Sequence, residues 1–164
     1  MRLRKMRVKR SKTGQGFTHI DVMVAGVILV IAVVGTSLYQ YHSSLNLQKA
    51  DLHATGVRLA LMLCEGWSGV DGATSFNPVN TFGSEFNIST STGPSPPTGF
   101  TVLGKYKIIV GGTYYYVTLS WKTTTPNLKA LNVIIKWDPL RKTTNLLTDA
   151  QKSYQLTVYV QNTT

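Results

Sequence analysis

Apolar residues follow two different patterns in the two halves of the chain. Residues 22–35 are fourteen consecutive positions without a polar side chain, and their flanks extend the segment to the twenty-three residues 17–39. A helix of that length is about enough to cross ~30 Å of hydrocarbon. The pattern predicts a membrane-spanning helix close to the N-terminus.

The helical pattern continues beyond the predicted membrane segment. Leucine or another apolar residue recurs at every seventh position, and polar residues become frequent around this stripe after Leu38. Residues 40–64 are therefore expected to form an amphipathic second half of the same helix, which covers a soluble domain. The stripe consists of Phe17, Val24, Ile31, Leu38, Leu45, Leu52 and Leu59.

Residues 65–99 change in character and contain many Gly, Ser, Thr, Asn and Pro residues. They end in Gly93-Pro94-Ser95-Pro96-Pro97, a sequence that interrupts both helices and sheets. We expect a long connection on the surface.

A secretory signal peptide with cleavage near Gly35 to Ser37 is an alternative for the apolar segment, although its apolar region would be unusually long.

Residues 100–164 alternate between apolar and polar positions, which is typical of β-strands. Gly111-Gly112 separates the first two runs and suits a two-residue hairpin turn. The sequence predicts an α+β fold in which the long helix packs on a four-stranded antiparallel meander. The predicted inward positions are Tyr106, Ile108, Val110, then Tyr115, Val117, Leu119, Trp121, then Leu131, Val133, Ile135, Trp137, and finally Tyr154, Leu156, Val158, Val160.

The charge is concentrated at one end of the chain. The formal net charge is +10, and the first sixteen residues carry seven Lys and Arg without any acid, which leaves ten basic residues against seven acidic ones. Lys and Arg beside an apolar segment resist translocation, so we expect a cytoplasmic N-terminus and a C-terminal domain on the periplasmic side. This position of the charge favours a membrane signal over a nucleic-acid site.

The junction between the basic and apolar segments resembles a known family. Lys12-Thr13-Gly14-Gln15-Gly16 followed by Phe17-Thr18-His19-Ile20-Asp21 is similar to the processing site of type IV pilins and type II secretion pseudopilins. The resemblance implies a leader (residues 1–16) that a prepilin peptidase removes after Gly16, and a new N-terminus at Phe17 that is N-methylated. It also implies a helix that forms the filament core, with the inner membrane, an assembly platform and other pilin or pseudopilin subunits as partners.

Asp21 is the residue of this junction that needs a physical reason, because an acid near an apolar segment is costly to bury in lipid. The family has glutamate at the corresponding fifth mature position. The resemblance implies that the carboxylate attracts the N-terminal amine of a neighbouring subunit and sets the axial register. A second explanation is local: Thr18-x-x-Asp21 fits a helix-capping box. Both explanations can hold together.

The resemblance favours a minor subunit. The stretches from Tyr115 to Trp121 and from Asn132 to Leu140 are similar to the ending of minor pilins and pseudopilins. Cys64 is the only cysteine, so the disulfide-closed loop of many major pilins cannot form. There is also no acidic calcium loop like that of the major pseudopilin. The filament would lie in the periplasm or outside the cell. The sequence does not distinguish among secretion, motility, adhesion and competence systems as the system to which the subunit belongs.

The sequence offers little support for an enzyme, a cofactor or a metal site. His42 and His53 are about 16 Å apart along a straight helix, at ~1.5 Å per residue. Cys64 is interpreted as a structural thiol.

Two rival functions remain. One is a DNA-binding competence pilin or adhesin, which uses aromatic and basic residues of the sheet. The other is an uncleaved single-pass anchor of a periplasmic domain. The relevant aromatic residues are Tyr114, Tyr115, Tyr116, Trp121 and Trp137.

Overall fold

The structure of the protein, a computed structural model, describes residues 18–139 and 150–161. It has an α+β fold, as predicted. Within these residues, two helices and five strands follow one another. They are α1 (His19–Ser68), α2 (Pro78–Phe82), β1 (Asn87–Thr90), β2 (Thr101–Val110), β3 (Thr113–Thr125), β4 (Leu128–Trp137) and β5 (Lys152–Gln161).

The strands form one antiparallel sheet in the order β1-β2-β3-β4-β5. The four predicted strands are present as β2 to β5, and their predicted inward positions share one face. Gly111 and Gly112 connect β2 and β3 with φ angles of 55° and 76°. Two successive positive φ angles define the type I′ turn that matches the twist of a hairpin, and glycine adopts them without strain.

The prediction of four strands is wrong by one, because β1 lies in the segment that was interpreted as a surface connection. β1 has four residues and pairs with β2 through Ile88 and Ile108, among others. The short helix α2 precedes it, with Asn77 as its N-cap and Pro78 in its first turn. Phe76, Pro78 and Ile88 are buried, so part of this segment belongs to the core.

The core of the folded unit lies between the C-terminal part of α1 and the sheet. The residues of α1 that are buried recur at helical spacing, which places them on one face. Leu52 and Leu59 of the seven-residue stripe are among them, as expected. The buried residues of α1 are Leu52, Gly56, Leu59, Ala60, Leu63, Cys64 and Trp67.

α1 packs closely against the side chain of Trp137 at the end of β4. A Cβ atom added to Gly56 would lie 3.0 Å from Cζ3 of Trp137, so only glycine allows this approach without a shift of the indole. The ring of Tyr115 lies 6.1 Å from that of Trp137, and its hydroxyl donates a hydrogen bond to the Leu52 carbonyl over 3.2 Å. Aromatic burial and one hydrogen bond thus fix α1 on the sheet.

The opposite face of the sheet carries a polar row that crosses three strands, in which Ser120 and Asn132 are buried and Thr157 is exposed. Asn132 of β4 is fully buried, and its amide donates to Thr157 Oγ1 over 2.7 Å and to the Leu156 carbonyl over 3.3 Å. Ser120 of β3 donates to Asn132 Oδ1 over 3.4 Å. Because a buried amide without partners is destabilising, this network selects the register of β3, β4 and β5.

The chain divides into two compact units, residues 1–44 and 45–164. The core described above belongs to the second unit. The described part of the first unit consists of Thr18 and the N-terminal part of α1, in which the large apolar side chains are exposed.

Candidate functional site at the start of the apolar helix

The first candidate site is the N-terminus of α1, where Thr18 and Asp21 cap the helix. Oδ2 of Asp21 accepts a hydrogen bond from the Thr18 amide over 3.1 Å and from Thr18 Oγ1 over 2.6 Å. The Asp21 amide donates in turn to the Thr18 carbonyl over 3.0 Å. The acid thus satisfies a backbone donor that the helix leaves without a partner, and it lies at the positive end of the helix dipole.

This cap agrees with the local explanation of Asp21, although it differs in one detail from a full capping box. The Thr18 hydroxyl donates to the carboxylate and does not accept from the Asp21 amide. Oδ2 makes both bonds, and Oδ1 has no hydrogen-bond partner in residues 18–139 and 150–161. One carboxylate oxygen therefore remains exposed for another group. Gly16 and Phe17, the predicted cleavage and methylation residues, lie outside the described residues.

The N-terminal part of α1 has the properties of a membrane span. It is long and apolar enough to cross a bilayer, and none of the most apolar eighteen-residue window is buried within the protein. Val24, Ile31 and Leu38 of the seven-residue stripe are all more than half exposed. The helix is thus compatible with a membrane anchor near the N-terminus.

Two hydroxyl residues inside this apolar segment bond to their own helix. Thr36 Oγ1 donates to the Ala32 and Val33 carbonyls, each over 3.0 Å, and Ser37 Oγ donates to the Val33 carbonyl over 2.8 Å. Such bonds satisfy the hydroxyls without water, as a lipid or filament interior requires.

Gly26 forms a groove in the apolar surface of α1. The groove has a volume of about 440 Å³ and is lined by Met23, Gly26, Val27, Val30 and Ile31. Nothing lies within 4 Å of a Cβ added to Gly26. Small residues in membrane helices let a second helix approach closely. These five residues recur at helical spacing along one face of α1, and this spacing is the sequence signal for the groove.

Cys64 lies in the core, in agreement with its interpretation as a structural thiol. It is free and 2% exposed. Burial raises the pKa of the thiol, and the charge of the adjacent Glu65 raises it further. Among the residues that the structure describes, no group of three or more His, Cys, Asp or Glu side chains is arranged to hold a metal ion.

We expect the folded unit to lose stability in alkaline solution because of Cys64 and Tyr106. Burial raises the pKa of both groups, so the unfolded chain releases these protons at a lower pH than the folded chain. Stability from these groups is full below the unfolded pKa values, about 8.5 for Cys and 10 for Tyr, and falls as pH rises through the folded values. Melting of the full chain in detergent micelles should show this decline.

Cys64→Ala and Tyr106→Phe serve as matched variants for this effect. Cys64→Ala should remove the loss of stability that begins at about pH 8.5, where the thiol of the unfolded chain ionises. Tyr106→Phe should remove the loss that begins at about pH 10, where the phenol of the unfolded chain ionises. An unchanged pH profile in both variants would assign the alkaline loss to other groups.

Most aromatic residues proposed for a nucleic-acid surface are part of the core. Tyr115, Tyr116 and Trp137 are at most 3% exposed, so their rings cannot stack on bases in this fold. Tyr114 and Trp121 are half-buried, and lysines lie over their rings: Lys107 at 5.6 Å and Lys129 at 5.2 Å from the ring centroids.

A second cavity lies between α1 and the β1–β2 edge, within the folded unit. It has a volume of about 350 Å³ and is lined by Thr55, Arg58, Leu59, Met62, Phe86 and Val110. Its lining is mostly apolar.

No family model, curated protein or solved structure matches this chain.

Proposed function

We propose that the protein is a minor structural subunit of a filament of the type IV pilus or type II pseudopilus class. In this proposal a prepilin peptidase removes residues 1–16, Phe17 is N-methylated, and α1 holds the subunit in the inner membrane until assembly. The folded unit then lies on the periplasmic side, and the same helix packs against other subunits in the filament. The chain acts through assembly and performs no catalysis.

The observation that carries the proposal is the composition of one continuous helix. α1 begins at His19, three residues after Gly16, the last residue before the predicted cleavage. Its first part exposes large apolar side chains, and its last part is buried against the sheet. A membrane anchor alone would account for the first part. The capped acid directly after the junction and the groove at Gly26 add features that a lipid-facing anchor does not need.

The exposed oxygen of Asp21 suggests how the acid can have two uses. Oδ2 caps its own helix, and Oδ1 is available to the amine of a neighbouring subunit. A charge-assisted bond of this kind is stronger in the apolar interior of a filament than in water. The shorter side chain of aspartate requires that the two subunits approach more closely than with glutamate.

We expect Asp21→Asn to separate these two uses. The amide oxygen of asparagine can still accept the Thr18 bonds, so α1 and the processing of the leader should be unaffected. The charge is lost, and incorporation of the subunit into filaments should fall by tenfold or more. The amount of subunit in sheared or detergent-extracted filaments, relative to the amount in membranes, measures this.

Asp21→Glu is the matched control, since it keeps the charge and should assemble. Wild-type incorporation of Asp21→Asn would show that the charge has no role, and the carboxylate would then be a cap alone.

Intact-mass analysis tests the processing step. Protein extracted from the membranes of a host with an active prepilin peptidase should have the mass of residues 17–164 with one added methyl group. A mass that includes residues 1–16 would identify the chain as an uncleaved single-pass anchor.

A further inference from the structure

β5 (Lys152–Gln161) forms a long open edge of the sheet. Within the described part of the chain it pairs only with β4, over its ten residues and without a bulge. It contains neither proline nor glycine. Such an edge presents a row of backbone N–H and C=O groups that can pair with another strand.

The opposite edge of the sheet is protected. β1 has only four residues, after which the chain passes over the sheet at Gly93 and Pro94. Thr118 Oγ1 of β3 donates to the Pro94 carbonyl over 2.7 Å and fixes this crossing. Short edge strands and prolines are features that prevent strand pairing. The β1 edge is thus short, whereas the β5 edge is long and is not covered by any residue that the structure describes.

The side chains of β5 include an apolar row that an additional strand could cover. Tyr154, Leu156, Val158 and Val160 form an apolar row that is only half-buried. The alternate row is exposed and polar, apart from Tyr159, whose side chain is 61% exposed. A strand added beside β5 would remove more of the apolar row from water. The bonds from Asn132 to Leu156 and Thr157 hold β5 in place, so binding would require little reorganisation.

The charge of the sheet indicates what kind of strand fits. The five strands contain six lysines and no acid. Lys152 begins β5 opposite Trp137 of β4, and Lys136 of β4 lies opposite Ser153, so the two lysines lie at the same end of the sheet but on opposite faces. Neither lysine has a carboxylate partner within the described residues. A strand from a second copy would bring no carboxylate to this edge. The six lysines are Lys105, Lys107, Lys122, Lys129, Lys136 and Lys152.

We propose that β5 is the docking site for an extended, acidic segment of a different polypeptide. The segment adds to the sheet as an antiparallel sixth strand, the more stable arrangement per residue. Its C-terminal residues carry carboxylates that face Lys152 and Lys136, and its apolar side chains cover the row from Tyr154 to Val160. This inference depends on the folded unit and not on leader processing or filament assembly.

A synthetic peptide tests the proposal on the full chain in detergent micelles. The probe has ten residues, in which valine and threonine alternate, and it ends in two glutamates. We expect saturable binding by fluorescence anisotropy, and about fivefold weaker binding when two lysines replace the glutamates, since exposed ion pairs contribute ~0.2 to 1 kcal/mol each. Lys152→Glu should reverse this preference. Lys122→Glu, an equal change on β3, should not.

N-methylation of the peptide distinguishes strand addition from general charge attraction. Methyl groups on alternate amides block one edge of the peptide, and two complementary versions can be made. Only one version should lose binding, by tenfold or more. Equal binding of both versions, equal binding of the lysine peptide, or no saturable binding at millimolar concentration would each overturn the proposal. A dimer of the chain that the peptide dissociates in sedimentation would make a second copy the occupant, and would also overturn it.

Discussion

Gly16→Val should leave the leader attached to essentially all of the protein. Glycine before a scissile bond lets a protease approach the backbone, whereas the branched side chain of valine fills that space. Intact-mass analysis of membrane extracts should therefore show residues 1–164 in the variant and residues 17–164 in the wild type. Because the uncleaved chain has no free amine at Phe17, the variant should also be absent from filaments.

Gly14→Val is the matched control for this experiment. It makes the same change two residues earlier, inside the leader, and should be processed normally. If Gly16→Val is processed as efficiently as Gly14→Val, the junction is not the site of cleavage that the resemblance implies.

Trp137→Ala should produce a large loss of stability in the folded unit. The indole is 1% exposed, lies against Gly56 of α1 and contacts the ring of Tyr115. Deletion of a buried aromatic side chain removes its burial and leaves a cavity, at a cost of about 3 to 5 kcal/mol. Urea unfolding in detergent micelles, followed by far-UV circular dichroism, should show this decrease.

Trp121→Ala is the comparison for Trp137, since the same atoms are removed from a half-buried site on the neighbouring strand. Its cost should be clearly smaller, because water can fill the space and the lost contact with Lys129 is a single cation–π pair of ~0.5 to 1 kcal/mol. Equal losses in the two variants would contradict the central position of Trp137 in the core.

The parts of the fold that the sequence predicted are those with strong local patterns. β2 to β5 alternate large apolar residues with polar ones, and Gly111-Gly112 marks the hairpin directly. β1 was missed because Ile88 is its only fully inward apolar residue, among Asn, Ser and Thr. α2 has a usable signal, since Asn77 accepts a bond from the Val79 amide and Pro78 follows it, but five residues are too few for a periodic pattern.

The same difference between local and long-range contacts applies to the candidate site. The Thr18–Asp21 cap was predictable because both partners lie within one helical turn. The polar row of Ser120, Asn132 and Thr157 was not, because the partners are brought together only by strand pairing across three separate segments. The open edge at β5 likewise depends on the strand order, which is a property of the whole sheet.

The capped start of α1 has a consequence for the movement of the subunit out of the bilayer. In the proposed orientation, the seven Lys and Arg residues of the leader would keep this end of the helix at the cytoplasmic surface. After cleavage at Gly16, the new amine at Phe17 and the carboxylate of Asp21 would be four residues apart and of opposite sign. A compact zwitterion is easier to transfer through a low-dielectric medium than a concentrated positive charge. Removal of the leader would thus replace a basic segment that fixes the orientation of α1 by an N-terminus that can move out of the membrane.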